Sequence, residues 1–245
     1  MEAAPRRPLG STPVAGFLAA AVASGALLVA LAAAIGPLVG ASAALPLAGG
    51  AVFTAALVVA APGLRRHHPF GRLGAANAVT LVRLALVALL AALAGEPAGA
   101  AAAWVVVAVT VVLAGLDGLD GWLARRSGLA SAFGARLDME TDAFLVLVLS
   151  VLAWHHGKAG PWVLGCGLMR YAFVAAGWGL AWMRGPLRPT LRGRTVAVTQ
   201  FIGLAIAIAP VVPRPWSAAV AAVTLAVLAW SFGLDVGRLW RQRAG

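Results

Sequence analysis

Eight long apolar runs dominate this chain, and they decide its fold class before any motif is considered. A helix needs about 20 apolar residues to cross the hydrocarbon core of a bilayer. Hydrophobic residues make up 62% of the chain and charged residues 11%. A soluble domain of this length cannot bury so much apolar surface. In lipid, every backbone polar group must be satisfied within the spanning structure, which leaves helices or a closed barrel. The runs are rich in Ala, Leu and Val and lack the two-residue alternation of barrel strands. The sequence therefore predicts an all-α polytopic membrane protein.

The spans are expected near 14–36, 43–61, 77–95, 101–122, 136–156, 160–183, 195–212 and 216–237. Pro37 and Pro46 bracket the first turn. The basic stretch 62–74 suits a short interfacial helix or a plain basic loop. Three parts follow: an N-terminal extension of two spans (1–61), a juxtamembrane segment (62–76) and a six-helix domain (77–245). Arg6 and Arg7 precede a run too long for a typical signal-peptide core, so the first span is read as retained.

Net charge is +11, yet the basic residues lie between spans and form no nucleic-acid patch. Arg125, Arg126 and Arg136 fill one connection; Arg184, Arg188, Arg192 and Arg194 fill another; Arg238, Arg241 and Arg243 follow the last span. The alternate connections carry only Lys158 and Arg214. By the positive-inside rule the arginine-rich side, with both termini, faces the cytoplasm beside anionic membrane lipids. Trp104, Trp154, Trp162, Trp216 and Trp240 sit near span ends, as an aromatic belt requires. Cys166, the one cysteine, lies in an apolar run and reads as packing.

Against this background, four of the eight acidic residues form one spaced set: Asp117, Asp120, Asp138 and Asp142. Carboxylates near a bilayer core need a reason. Asp117 and Asp120 share a helical face at the end of one span, and Asp138 and Asp142 share a face at the start of the next. Antiparallel packing brings both pairs to one membrane side. Such a cluster repels itself without a cation. Oxygen ligands suit Mg²⁺ or Mn²⁺ beside a phosphate, and four carboxylates are enough for two ions. Gly121 allows a ligand close to Asp120, Arg125 can pair with phosphate, Gly128 and Gly134 permit a tight connection, and Ser131 offers a hydroxyl. The alternative is a set of surface acids paired with Arg125, Arg126 and Arg136.

The segment resembles the signature of the CDP-alcohol phosphatidyltransferase family, D-x2-D-G-x2-A-R-x8-G-x3-D-x3-D. Asp117, Asp120, Gly121, Ala124, Arg125, Gly134, Asp138 and Asp142 match every defined position. The resemblance, over about residues 65–240, implies a six-helix catalytic core with two extra N-terminal transmembrane helices. It implies that the four aspartates hold one or two divalent ions, Mg²⁺ or Mn²⁺, and that Asp142 is the general base. Gly121 and Arg125 would contact CDP, with Ser131 and Gly134 beside them. It also implies a CDP-linked lipid donor, a homodimer and a cytoplasmic-membrane location.

Asn77, Thr80 and Arg83 form N-x2-T-x2-R on one helical face, where similar residues occur in family members. Asn77 and Thr80 are placed with the CDP site; Asn77 could equally cap a helix and Arg83 could snorkel to the interface. Arg170 lies deep in a span, where an unpaired guanidinium is costly. With Arg136, Arg192 and Arg194 it is a candidate for gripping a phosphorylated acceptor, such as glycerol 3-phosphate or inositol phosphate. Its alternative is pairing with an acid, and Glu140 is expected to pair with an arginine. The adjacent pairs His67–His68 and His155–His156 point apart on a helix and are not expected to ligate metal. The same motif serves CDP-choline and CDP-ethanolamine enzymes acting on diacylglycerol. A divalent-cation transporter is a reading from another class. It predicts acids near the midplane of repeated halves, and no repeat is visible.

Overall fold

The computed structural model describes residues 13–185 and 190–242. They form eight α-helices: α1 (Pro13–Val39), α2 (Leu45–His67), α3 (Ala75–Leu93), α4 (Ala100–Ser127), α5 (Ala132–His155), α6 (Leu164–Gly179), α7 (Leu191–Ile208) and α8 (Trp216–Gln242). Short 3-10 turns at Pro161–Val163 and Ala181–Arg184 flank α6. Arg6, Arg7, Arg188 and Arg243 lie outside the described residues. Six of the helices, α1 to α4, α7 and α8, are long and apolar enough to cross a membrane. The chain is an all-α polytopic membrane protein.

Helix α3 is the centre of the bundle. It packs against α1, α2, α4 and α5, and every residue from Leu84 to Leu90 is buried. A helix apolar on all sides must be surrounded by others, and α1 with α2 completes the ring. Those two turn Leu18, Val22, Leu47, Val58 and Val59 outward, as helices facing lipid do. Small residues set the closest approaches. A Cβ at Gly167 would overlap Leu147 where α6 crosses α5, and one at Gly203 would overlap Thr224 where α7 meets α8.

Local chemistry explains the helix ends. Helix α1 runs through Pro37 and stops at Gly40, whose φ of 67° is left-handed. The Ala41 amide bonds back to the Gly36 carbonyl at 2.9 Å, closing a Schellman turn. Pro37 is thus inside the last turns rather than in the connection. Helix α2 also passes Pro62 and continues to His67. The separate interfacial helix expected over 62–74 is therefore absent: Arg65 and Arg66 end α2, and 68–74 is irregular. The span expected at 160–183 is broken after Gly179, where Arg184 donates to the Gly177 and Trp178 carbonyls at 2.6 and 2.8 Å. That side chain satisfies carbonyls that a continuing helix would have used.

The end of the bundle away from the aspartates is clasped by Glu96, in the α3–α4 connection. Its carboxylate accepts the backbone N–H and the hydroxyl of Ser42, both at 2.7 Å, and its carbonyl accepts His155 Nε2 at 2.8 Å. One residue thus ties the α1–α2 turn to α3 and α5. Lys158 closes the same end by donating to the Ala209 and Val212 carbonyls at 2.8 and 2.7 Å. The two Ser42 bonds hold the Glu96 pKa below its ordinary value. A carboxyl of depressed folded pKa contributes stability above its unfolded pKa, and the contribution is lost as pH falls through the folded value. Glu96→Gln is therefore expected to lower the melting temperature in detergent at neutral pH. The gap to wild type should close as pH falls below the ordinary value of 4.5. A gap that does not change with pH would show that the ionised form contributes nothing.

Candidate metal and phosphate site

Three helices meet at the aspartate end. Asp117 and Asp120 lie near the end of α4, Asp138 and Asp142 near the start of α5, and Asn77, Thr80 and Arg83 near the start of α3. Gly128, with φ 65°, caps α4 in the left-handed conformation. Ser131 caps α5 by accepting the Gly134 amide at 3.1 Å. These caps hold the turn short, so the two aspartate pairs converge.

What lies between them is Arg83. Its side chain is 1% exposed and its guanidinium contacts all four aspartates. Nη1 donates to Asp120 Oδ2 at 2.7 Å and to Asp138; Nη2 pairs with Asp117 Oδ1 at 2.8 Å and with Asp142. The snorkelling alternative for Arg83 is overturned, because the side chain turns into the acidic cluster rather than toward the membrane surface. Thr80 Oγ1 lies 3.1 Å from Asp120 Oδ2 as a donor. Asp120 forms the floor, with 6% of its side chain exposed, while Asp117, Asp138 and Asp142 form the rim at 36%, 40% and 26%.

The residues fit a divalent cation. One carboxylate oxygen from each of Asp117, Asp120 and Asp138 lies within 4.8 Å of the others. All are hard oxygen donors, the set that Mg²⁺ and Mn²⁺ prefer. Four carboxylates facing one guanidinium leave the cluster short of positive charge. Asp142, expected among the ligands, stands outside the close triad and reaches the group through Arg83.

The glycines of the motif have distinct tasks. The Arg125 guanidinium folds back over Gly121, where a Cβ would meet Nη1 at 3.4 Å, an ordinary van der Waals contact. A Cβ on Gly134 would overlap Asn77 Oδ1. Asn77 is buried and donates Nδ2 to the Leu73 carbonyl at 2.6 Å. It therefore spaces α3 from α5 and does not cap its helix, whose N-cap is Gly74. Ser131, expected near CDP, uses its oxygen on the Gly134 amide and on His68 Nδ1 at 3.0 Å.

The candidate acceptor residues are not gathered into one cluster by hydrogen bonds. Arg170 pairs with Glu140 at 2.6 Å, which is the partner Glu140 was expected to find. Arg192 pairs with Asp235 of α8 and lies 6.0 Å over the Trp230 ring. Arg136 and Arg194 are exposed. Arg170 Nε, Arg192 Nε and Arg192 Nη1 are buried without a hydrogen-bond partner among the described residues. Two residues carry more than the motif indicated. Arg83 completes the cluster, and the signal for it was a cation one turn after Thr80 on the same face. His68 is bonded to Ser131 at the start of α5, a contact of which adjacency to His67 gave no sign.

Fold and site together define a helical membrane protein with an acidic, cation-seeking centre at one end of its bundle. The chain belongs to the CDP-alcohol phosphatidyltransferase family, which it matches over residues 73–233, well over half its length. The match starts after α2 and ends within α8, so α1 and α2 lie outside it. No curated protein and no solved structure matches the chain.

Two outcomes test this geometry. Gly134→Ala is expected to destabilise the protein by about 1–3 kcal/mol, the usual range for overpacking, and Asn77→Ala in the same chain should recover part of the loss in denaturant unfolding. An uncoupled pair would mean that the two residues do not press on each other. Removing one partner from a buried ion cluster costs about 3–5 kcal/mol. Arg83→Gln should therefore melt earlier in EDTA, and Mg²⁺ or Mn²⁺ should restore more stability to it than to wild type. An identical metal response in both would separate Arg83 from the cation site.

Proposed function

We propose that this protein transfers a phosphatidyl group from CDP-diacylglycerol to an alcohol and releases CMP. The observation that carries the reading is the four-aspartate cluster with its buried floor and open rim. Bound at that cluster, Mg²⁺ or Mn²⁺, as one or two ions, would neutralise the pyrophosphate and the charge that develops on its oxygens. Asp117, Asp120 and Asp138 would hold it. Asp142 is the proposed base: it takes the proton of the acceptor hydroxyl as that oxygen bonds to the lipid-linked phosphorus and the bond to CMP breaks. Gly121 and Arg125 take the CDP phosphates, with the Ser131–Gly134 turn beside them. Thr80 and Asn77 act from behind, one orienting Asp120 and the other spacing α3 from α5.

The acceptor proposed is a phosphorylated polyol, such as glycerol 3-phosphate or inositol phosphate. Its support is the set of buried, partnerless nitrogens on Arg170 and Arg192, which are donors suited to phosphate. Arg136 and Arg194 would add charge at the entrance. The arginine-rich connections lie at the aspartate end, which by the positive-inside rule supports a site that faces the cytoplasm, and the cytoplasmic membrane is the location proposed with it. A divalent-cation transporter is disfavoured because α4 and α5 run unbroken through their aspartates.

The test is a panel of acceptors added to purified protein with CDP-diacylglycerol and Mg²⁺ or Mn²⁺, following CMP. CMP should appear only with the right acceptor. Asp142→Asn, whose amide oxygen can still accept from Arg83, should fold and lose about 10²–10⁴-fold in turnover, the range of a general base. Full turnover in that variant would remove Asp142 from this role, and ion flux without CMP would favour transport.

A further inference from the structure

The family match begins at residue 73, yet the two helices before it reach the start of α5, by hydrogen bonds through His68 and by apolar contacts. His68, the C-cap of α2, is 8% exposed, so it is not a solvent-facing member of a basic loop. Its Nε2 donates to the Arg72 carbonyl at 2.8 Å. A carbonyl only accepts, so Nε2 carries a proton, and in the neutral ring Nδ1 accepts the Ser131 hydroxyl proton at 3.0 Å. Ser131 Oγ in turn accepts the Gly134 amide at 3.1 Å. The next residue after Arg72, Leu73, accepts Asn77 Nδ2, and Asn77 abuts Gly134. The connection 68–74 is thus bound to the first turn of α5 from two sides. Asp138 follows Gly134 by about one turn and Asp142 by about two.

Apolar contacts from the same two helices support this ring. Phe133, beside Gly134, meets His68 edge-on at 6.0 Å between ring centroids and Phe17 of α1 at 6.2 Å. A Cβ on Gly63 of α2 would lie 3.4 Å from the Phe133 ring. Phe17 and Leu64 share one buried cluster with Phe133 and Leu137, and Leu137 precedes Asp138 in sequence. Both polar and apolar contacts therefore fix the start of α5, the helix whose aspartates face α4.

We propose that His68 is a positioning residue of the site, and that α1 and α2 set the approach of Asp138 and Asp142 to Asp117 and Asp120 through the His68–Ser131–Gly134 chain. This rests on the aspartates being the cation-holding groups. Groups that orient ligands from behind commonly change metal affinity by about 10–100-fold.

The experiment separates the two nitrogens of His68 in the full-length protein. Asn places its Oδ1 near the Nδ1 position and can keep the Ser131 bond; Gln places its amide near Nε2 and can keep only the Arg72 bond. Mn²⁺ affinity, read by electron paramagnetic resonance, is measured beside CMP release and melting temperature. His68→Gln should bind Mn²⁺ about tenfold more weakly, and His68→Asn should stay close to wild type. If His68→Gln does not fold, Ser131→Ala breaks the same bond from the other side, together with the Gly134 cap, and should show at least the same loss. Equal Mn²⁺ affinity in the folded His68→Gln, or in Ser131→Ala, and wild type overturns the inference while leaving the transferase reading intact. The expected Mn²⁺ pattern without CMP from any acceptor upholds the positioning role and removes the transferase reading. A wild type that binds no Mn²⁺ overturns both.

Discussion

One buried guanidinium holds the working end of this protein together. Arg83 is the one charged residue of α3 and answers four carboxylates from two other helices. Without it the aspartates would repel each other. With it, α3, α4 and α5 share a single ionic junction. The charge remains unbalanced in favour of the acids, so the junction has a place for a further cation. The same residues thus serve folding and, in the function proposed, cation binding. Burial at the floor, where Asp120 meets Thr80 and Arg83, keeps the geometry. Exposure at the rim keeps it accessible.

The rest of the architecture places that junction. Helix α3 is enclosed by α1, α2, α4 and α5, which explains why its apolar residues face every direction. At one end Glu96 joins the α1–α2 turn to α3 and α5. At the other, His68 and Phe133 join α2 to α5. The N-terminal pair is therefore anchored at both ends of the core, although the family match does not include it.

Most of the helical layout was legible because lipid leaves few choices: each long apolar run had to be a helix. Each of the eight expected spans corresponds to a helix, but only six of those helices, α5 and α6 excepted, are long and apolar enough to cross a membrane. The departures have local causes. Pro37 is expected at the first turn, but α1 runs through it, and α2 likewise continues past Pro62, as membrane helices tolerate proline where the freed backbone groups are satisfied. The apparent single run at 160–183 hides a break after Gly179, because hydropathy cannot see Arg184 turning back onto the Gly177 carbonyl.

The site divides along the same line. The chain by itself determined the membrane class, the four aspartates and their pairing on two helical faces, because spacing along a helix dictates direction from the axis. It also determined that Glu140 stands off the aspartate face. Only the tertiary structure decided what each face meets. Arg83 turning inward, Gly134 resting on Asn77, Ser131 engaging His68, and Arg192 pairing with Asp235 are contacts between residues far apart in sequence. Helical periodicity names the side of a helix but not its neighbour; that depends on which helices pack together and how closely their small residues let them approach.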